Sequence, residues 1–561
     1  MPTTNEAALP YHEPSIETIL IQASFMILLN LFNWALDAIL YCGLIGQILV
    51  GIAWGTPGGK ILSSDAEQIF VELGYVGLIL LVFEGGLSTS FKALKANSWL
   101  SAGVAFTGIV SPIGLSFILG PLAGASSLQS FAAGAALCST SLGTTFTVLN
   151  ASKLTSTRLG VVLTSAAILD DVVGLVMVQV ISNLGAAAEV SVSAVTIIQP
   201  VFVSIGFAIA AVVFCRFVLG PSTVLLNKWR VSHPRTSFSR VLERRATALI
   251  LHSALLIGLV TGSSYAGTSN LFAAYIAGSI ISWWDSEVPH PVKTADHDVS
   301  NASPETSTPE ENSGQARTLP PSKSRSNQVQ ADSSSCSGED IYEHFYGPPL
   351  KWVLQPLFFA SIGFSVPIRR LFEGPIVWKG IIYSILMVFG KLLCGLWLVR
   401  VPSITTWAAS RVKKSAPDNS SETRPSPSIE LDEAAARSTV DDTSVTATGA
   451  GQSPAEIQNS TPDPSKPLSL YPGVILGLAM VARGEIGFLI SSVAQSRGVF
   501  GRGPNNEESD IFLIATWAIV LCTIIGPLCV GLVVRRVRRL EVDNTRAPAN
   551  VLGVWGVGET S

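Results

Sequence analysis

The sequence contains few charged residues. Asp, Glu, Lys and Arg make up 14% of its 561 residues, whereas about 25% is usual in soluble globular proteins. An ordinary cytosolic enzyme is therefore excluded. The net charge of -4 is spread over the chain, and no segment expected to fold carries a dense basic block, which argues against nucleic acid as a partner.

The sequence also lacks CxxC cysteine pairs and basic residues at its N-terminus. None of the seven cysteines forms a CxxC pair, and most lie in apolar runs, so we predict small core residues rather than a disulfide framework or a zinc site. Residues 1–15 contain no Lys or Arg, unlike the charged start of a cleavable signal peptide. Export cleavage is not expected.

Long apolar runs are abundant instead. Hydrophobic residues make up 48% of the chain and the mean hydropathy is +0.45. Since about 20 residues cross a bilayer as a helix, we predict an all-α polytopic membrane protein with about 13 transmembrane helices. Twelve is the alternative count, because the first two runs nearly merge and the tenth is short. The predicted spans are 15–34, 37–54, 67–88, 99–119, 130–149, 158–183, 193–219, 245–263, 268–284, 350–366, 375–400, 470–496 and 509–534.

The distribution of basic residues predicts the orientation, because cytoplasmic loops accumulate Lys and Arg. A cytoplasmic C-terminus places the most basic loops inside and the N-terminus outside or in a lumen. The plasma membrane and an endosomal or vacuolar membrane both fit. The loops assigned to the cytoplasm carry Lys92, Lys95, Lys153, Arg158, the basic residues of 216–245, and Arg535, Arg536, Arg538 and Arg539.

Two polar segments interrupt the apolar pattern. Both are rich in Ser, Thr, Pro, Asp and Glu, so they cannot bury enough apolar surface to fold and are expected to be disordered cytoplasmic loops. The predicted division is an outside N-terminus with the first helix (1–36), the first membrane half with linking helices (37–284), a disordered loop (285–346), helices ten and eleven (347–402), a second disordered loop (403–468), helices twelve and thirteen (469–540) and a cytoplasmic tail (541–561).

Five ionisable residues lie inside predicted spans, where each costs several kcal/mol unless it is paired or hydrated. They are Asp170, Asp171, Lys391, Arg483 and Glu485. Successive helical residues point about 100° apart, so one aspartate is expected to face a fixed partner and the other a water-filled cavity. Lys391, deep in the eleventh span, needs a carboxylate partner or must lose its proton.

Two spans are expected to be interrupted. Arg483-Gly484-Glu485 lies at the centre of the twelfth span among several glycines; a structural Arg–Glu clamp and a direct role are both open. In the fifth span, Thr140 and Ser141 belong to a hydroxyl-rich run whose oxygens suit a hard cation, with ordinary helix packing as the alternative. Interrupted spans in two halves indicate a transporter site made from inverted repeats, here spans two to six and nine to thirteen.

Four short motifs together resemble the cation:proton antiporter superfamily, that is, the sodium/hydrogen exchanger family. The resemblance is to the electrogenic branch that contains the bacterial NhaA and NapA antiporters, and it covers about 37–400 and 470–535. The long Ser-rich insertions are similar to those of fungal members. The motifs are Ile168-Leu169-Asp170-Asp171, Gly390-Lys391-Leu392-Leu393, Thr140-Ser141 and Arg483-Gly484-Glu485.

The resemblance implies an NhaA-like fold with a dimer-forming domain, a six-helix core and broken fifth and twelfth helices that cross. It implies that the protein is a homodimer, that Asp171 is the main carboxylate for a transported sodium ion, and that Asp170 pairs with Lys391. Some relatives carry an aspartate where Ser141 stands, so the ion ligands at the crossing and the ion preference stay open. No cofactor or catalytic residue is implied.

The expected function is antiport of a monovalent cation, sodium with lithium or potassium as alternatives, against protons, with net charge movement. A proton and a cation compete for one half-buried carboxylate, and only a neutralised site crosses readily. A potassium/proton exchanger of the same superfamily and a cation channel are the alternatives. An intramembrane aspartyl protease does not fit, because it needs its two aspartates on separate helices.

Overall fold

The structure is a computed structural model that describes residues 13–40, 42–141, 154–155, 157–187, 194–233, 245–287, 337–399, 470–501, 508–543, 552 and 555–556. The described residues form twenty α-helices. In chain order these are α1 (Ile16–Leu40), α2 (Gly43–Trp54), α3 (Ser64–Leu87), α4 (Phe91–Ala96), α5 (Ser98–Ser116), α6 (Leu119–Ala123), α7 (Ser127–Ala136), α8 (Arg158–Ala187), α9 (Ala194–Phe214), α10 (Gly220–Ser232), α11 (Arg245–Ala266), α12 (Asn270–Glu287), α13 (Gly338–Phe345), α14 (Gly347–Pro349), α15 (Gln355–Phe364), α16 (Ile368–Leu371), α17 (Gly374–Leu392), α18 (Tyr471–Ala479), α19 (Glu485–Ser496) and α20 (Asp510–Asp543).

Eight helical stretches of the described chain are long and apolar enough to cross a membrane. A helix also lies in each of the other predicted span regions, where it is shorter, less apolar or interrupted. The chain is therefore an all-helical, multi-span membrane protein. The eight stretches are Ile16–Ile39, Ser64–Leu87, Ser98–Ala123, Arg158–Gly185, Ile197–Trp229, Arg245–Ala266, Gly374–Leu398 and Asp510–Leu540.

Apolar side chains on the outside of the bundle agree with a lipid environment. On α9, Ile198, Phe202, Ile205 and Ile209 are all at least half exposed and recur at intervals of three or four residues. That spacing places them on one face of a helix. In water this face would be an unusually large exposed apolar patch, whereas lipid tails cover it without cost.

Small residues let the inner helices pack closely. Helices α3 and α12 meet at Gly86 and Gly278, and a Cβ on either glycine would come within 2.2 Å of a backbone oxygen of the other helix. Such close backbone approach is typical of membrane helices, which associate through packing rather than through exclusion of water.

The first predicted polar loop, 285–346, has helical structure at both ends, so this prediction was wrong at its borders. Helix α12 runs to Glu287, and α13 follows a capping bond in which Ser337 Oγ accepts the Asp340 amide. Ile341 and Tyr342 of α13 are buried, and the Tyr342 hydroxyl donates to the Leu80 carbonyl at 2.9 Å. Composition averaged over the loop concealed this short amphipathic helix. Residues 288–336 and 403–468 lie outside the described residues.

Two helices end inside the bundle, and their ends meet. Helix α7 ends at Ala136 and is followed by non-helical residues 137–141; the remainder of the predicted fifth span, 142–149, lies outside the described residues. In the predicted twelfth span, residues 480–484 are non-helical between α18 and α19. The Ser141 amide donates to the Ala482 carbonyl at 2.9 Å, so one break satisfies a backbone group freed by the other.

Candidate functional site

The adjacent aspartates lie in the middle of α8 and face different surroundings. Asp170 is completely buried, whereas Asp171 is only partly buried. This difference agrees with the rotation of about 100° between successive helical residues. The sequence predicted that one aspartate faces a fixed partner and the other a water-filled cavity; the structure buries Asp170 completely and leaves Asp171 partly exposed.

Lys391 of α17 reaches Asp170 in the centre of the bundle. Its Nζ is 2.6 Å from Asp170 Oδ2, and neither side chain is exposed. The ammonium group also donates to the Cys138 carbonyl at 2.6 Å and to Thr140 Oγ1 at 3.0 Å. All three of its protons therefore have acceptors. The Cys138 carbonyl belongs to the frayed end of α7, where a helix dipole favours a cation.

Thr140 connects the break after α7 to the buried ion pair. Its hydroxyl donates to Asp170 Oδ2 at 2.8 Å and accepts from Lys391, so one oxygen joins both members of the ion pair. The same hydroxyl lies 3.3 Å from the Met480 carbonyl at the second break. Ser141 contributes through its backbone rather than its hydroxyl, because its amide donates the hydrogen bond to the Ala482 carbonyl.

Asp171 lies among competing charges. Glu485 and Asp170 act on it with negative charge and Lys391 with positive charge. Glu485 is the first residue of α19 and is partly buried. A helix N-terminus favours a carboxylate, which explains its position beside the second break. Asp171 therefore has two acidic neighbours and one basic neighbour.

Arg483 occupies the second break without a carboxylate partner among the described residues. Its side chain is completely buried, and Nη1 donates to the Ser139 carbonyl at 2.7 Å, while Nε and Nη2 have no partner there. No ion pair joins it to Glu485 in this part of the chain. The clamp, one of the two roles left open by the sequence, is therefore not formed; instead Arg483 binds a carbonyl freed by the break after α7.

Gly108 of α5 is a site residue that sequence reasoning missed. A Cβ there would be 3.1 Å from Lys391 Nζ and 3.4 Å from Asp170 Oδ2. Its missing side chain makes room for the ion pair. Gly108 is one of 48 glycines, and its local sequence carries no signal that separates it from the others.

The donor set consists of oxygen atoms. Within the described ranges, no group of three or more His, Cys, Asp or Glu residues is placed to hold a metal ion. Carboxylate, hydroxyl and carbonyl oxygens are the ligands that hard cations prefer. One partly buried carboxylate with a few neutral oxygens suits an ion that binds and leaves better than a permanently held metal.

Comparisons with known proteins find similarity to sodium/proton antiporters over parts of the chain. Residues 27–300 match the transmembrane sodium/hydrogen exchanger family. The high-affinity Na+/H+ antiporter NhaS3 of Synechocystis is 31% identical over 190 residues, which is 33% of this chain and 41% of that one. The Na+/H+-K+ antiporter GerN of Bacillus cereus is 28% identical over 159 residues, 28% of this chain and 40% of that one. The chain thus spans about two fifths of the length of each antiporter.

Among solved structures, the sodium proton antiporter MjNhaP1 of Methanocaldococcus jannaschii aligns with a TM-score of 0.49 and 12% identity. The alignment covers 93% of this chain and 99% of that one.

Proposed function

We propose that this chain, whose residues 27–300 match the transmembrane sodium/hydrogen exchanger family, is a secondary antiporter that exchanges sodium or another monovalent cation for protons. The observation that carries the proposal is the completely buried contact between Asp170 and Lys391, 2.6 Å long, directly beside the more open Asp171. An ionisable residue inside a membrane is costly and is retained mainly where it serves transport.

Asp171 is the proposed binding carboxylate. It carries one negative charge, so a proton or a monovalent cation neutralises it, but not both at once. A neutral site moves across the low-dielectric centre of the membrane at a much lower cost than a charged one. Competition for one carboxylate therefore couples the two fluxes in opposite directions.

The buried ion pair is the proposed second proton carrier. Asp170 and Lys391 are in direct contact at 2.6 Å and both are buried, so a change in the charge of one acts on the other. A cation near Asp171 competes with Lys391 for the negative charge of the aspartates, so cation binding weakens the pair and favours loss of a proton from the lysine. Release of two protons for one cation moves net charge. This is the basis for assigning the chain to the electrogenic, NhaA/NapA-like branch.

The proposed movement is a rigid-body displacement of a core that contains α7, α8, α17, α18 and α19 against a dimer-forming domain, in a homodimer. The cytoplasmic ends are proposed to be the basic ones, including the C-terminal end of α20 with four arginines. The plasma membrane and an endosomal or vacuolar membrane both satisfy this topology. Localisation of the tagged chain in its own cell separates them.

Proton flux in reconstituted vesicles tests the function. A pH gradient is imposed, sodium, lithium or potassium is added in turn, and the wild type is compared with Asp171→Asn. Asp65→Asn is the matched control, because it makes the same chemical change at an exposed carboxylate in the first turn of α3. We expect cation-dependent loss of the gradient in the wild type and in Asp65→Asn, but not in Asp171→Asn.

Two results would contradict the proposal. If Asp171→Asn dissipates the gradient as fast as the wild type, the role of Asp171 is refuted. If no cation dissipates it while the wild type conducts current, the protein is a cation channel. Dependence of the exchange rate on membrane potential tests electrogenicity separately.

Potassium is the second cation to test, because GerN, one of the antiporters compared above, is named for both sodium and potassium. The oxygen ligands at the break do not by themselves favour either ion. A faster loss of the gradient with potassium than with sodium would make this chain a potassium/proton exchanger by the same mechanism.

A further inference from the structure

A cavity of about 530 Å³ is lined by residues that do not belong to the candidate site. It opens between the C-terminal end of α12 and the region where α9 continues through a π-helical turn, Cys215–Leu219, into α10. The residues that matter for its chemistry are Arg216, Gly220, Leu225, Lys228, Trp283 and Glu287.

The fold keeps this cavity open. The π turn, a rare element that often occurs at functional sites, and the absent side chain of Gly220 shape one wall. An added Cβ on Gly220 would lie 3.7 Å from the ring of Trp283 on the other wall. The neighbouring Trp284 donates its indole N–H to Thr223 Oγ1 at 2.9 Å, which ties α12 to α10.

The cavity lies at the level where both walls leave the apolar part of the membrane. Residues 194–215 contain no charged side chain, and at 1.5 Å per residue they span about 33 Å, close to the thickness of the hydrocarbon layer. Arg216 is the first charge after them. On the other wall, Trp283 and Trp284 precede Asp285, and tryptophans concentrate at the membrane interface.

The two basic side chains of the cavity have no ionic partner among the residues that the structure describes. Neither Arg216 nor Lys228 forms an ion pair or a side-chain hydrogen bond with any residue in the described ranges, and Glu287 adds a carboxylate to the same cavity. Apolar surface continues next to them, since Phe217 and Leu225 are each 71% exposed. The two cationic side chains match a phosphate, the carboxylate matches an amine, and the apolar border matches acyl chains.

We propose that this cavity binds the headgroup of an anionic aminophospholipid such as phosphatidylserine. The phosphate binds in the cavity beside Arg216 and Lys228, the amine is directed toward Glu287, and an acyl chain covers Phe217. On the predicted topology this end of the bundle faces the cytoplasm, whose leaflet carries the anionic lipids. The lipid would hold α9 and α10 against α12, outside the proposed ion pathway.

Thermal unfolding of the purified full-length protein in detergent tests the proposal. Phosphatidylserine, phosphatidylglycerol, phosphatidylcholine and inorganic phosphate are titrated separately. The test variant is Arg216→Gln/Lys228→Gln. Its matched control is Arg536→Gln/Arg539→Gln, which removes two exposed charges from the predicted cytoplasmic end of α20. A conservative variant, Arg216→Lys/Lys228→Arg, keeps the charge and checks that the helices still fold. No step requires transport, so the result is independent of the proposed antiport.

We expect phosphatidylserine to raise the unfolding temperature of the wild type most, and phosphatidylcholine and inorganic phosphate to have little effect. The Gln pair in the cavity should weaken apparent phosphatidylserine binding about 30-fold, the factor that two basic residues supply at an anionic surface. The control pair and the conservative variant should bind normally. Glu287→Gln should reduce the effect of phosphatidylserine to that of phosphatidylglycerol.

Three results would overturn the proposal. Equal losses in the two Gln pairs would assign lipid binding to general surface charge. Stabilisation by inorganic phosphate equal to that by phosphatidylserine would make the cavity a phosphate site rather than a lipid site. Loss of binding in the conservative variant as well would show that these positions act through folding and not through their charge.

Discussion

Gly108 lies directly against Lys391: an added Cβ on this glycine would be 3.1 Å from Nζ of the lysine and 3.4 Å from Oδ2 of Asp170. The ion pair is therefore enclosed from three sides, by the residues after α7, by α8 and by α5. Helix α5 makes room for the pair because Gly108 has no side chain. A larger residue on α5 has to displace the pair or the helix.

Gly108→Val tests this enclosure. Overpacking a filled interior costs about 1–3 kcal/mol, and here it also pushes on the ammonium group, so we expect a lower unfolding temperature and slower antiport. Gly114→Val on the same helix is the control, because nothing lies within 4 Å of an added Cβ there. Equal effects of the two substitutions would show that α5 responds to valine in general and not to contact with the ion pair.

Each charge of the buried pair is expected to stabilise the protein only while the other is present. Lys391→Met leaves Asp170 buried without its cation, which typically costs about 3–5 kcal/mol. Lys391→Met combined with Asp170→Asn removes both charges and should recover most of the lost stability. The unfolding temperatures of the single and double variants measure this coupling. If the double variant is no more stable than Lys391→Met, the pair is not the source of the loss.

The candidate site residues could be identified from the sequence because they are charged residues within apolar segments. Asp170 and Lys391 are charges in apolar spans, and Arg483 lies among glycines at the centre of another. The contact between Asp170 and Lys391 could not be identified in this way. It joins residues that are 221 positions apart, and only the resemblance to a family implied it.

Other features could not be predicted because they depend on packing. The importance of Gly108 arises from what lies opposite it, and the Cys138 carbonyl that binds Lys391 is a backbone atom, which the identity of the side chain does not reveal. Helix α13 was missed within 285–346 for a different reason: its apolar residues are few, and the polar composition of the surrounding segment outweighs them.

The hydroxyl of Thr140 is expected to matter more than that of Ser141. Thr140→Val keeps the shape but leaves Asp170 and Lys391 without a shared hydrogen-bond partner, and hydrogen bonds to charged groups contribute about 1.5–3 kcal/mol. We expect slower transport and a lower unfolding temperature, both restored in Thr140→Ser. Ser141→Ala should have the smaller effect, because the hydrogen bond of Ser141 to the Ala482 carbonyl comes from the backbone amide, which alanine keeps. The reverse order would assign the essential hydroxyl to Ser141.

The C-terminal tail is expected to stabilise the start of α8. Leu552 is buried, and Cζ of Arg158, the first residue of α8, lies 5.0 Å from the ring centroid of Trp555. Asp170 is about 18 Å farther along the same helix, at 1.5 Å per residue.

A cation–π contact contributes about 0.5–2 kcal/mol, depending on its exposure, so Trp555→Ala should lower the unfolding temperature and speed amide hydrogen exchange in the first turns of α8. Trp99→Ala is the matched control, because that ring is 87% exposed. Combining Trp555→Ala with Arg158→Gln should cost less than the sum of the two single changes, since both remove the same contact. Strict additivity would mean that the tail packs against α8 without using the charge of Arg158.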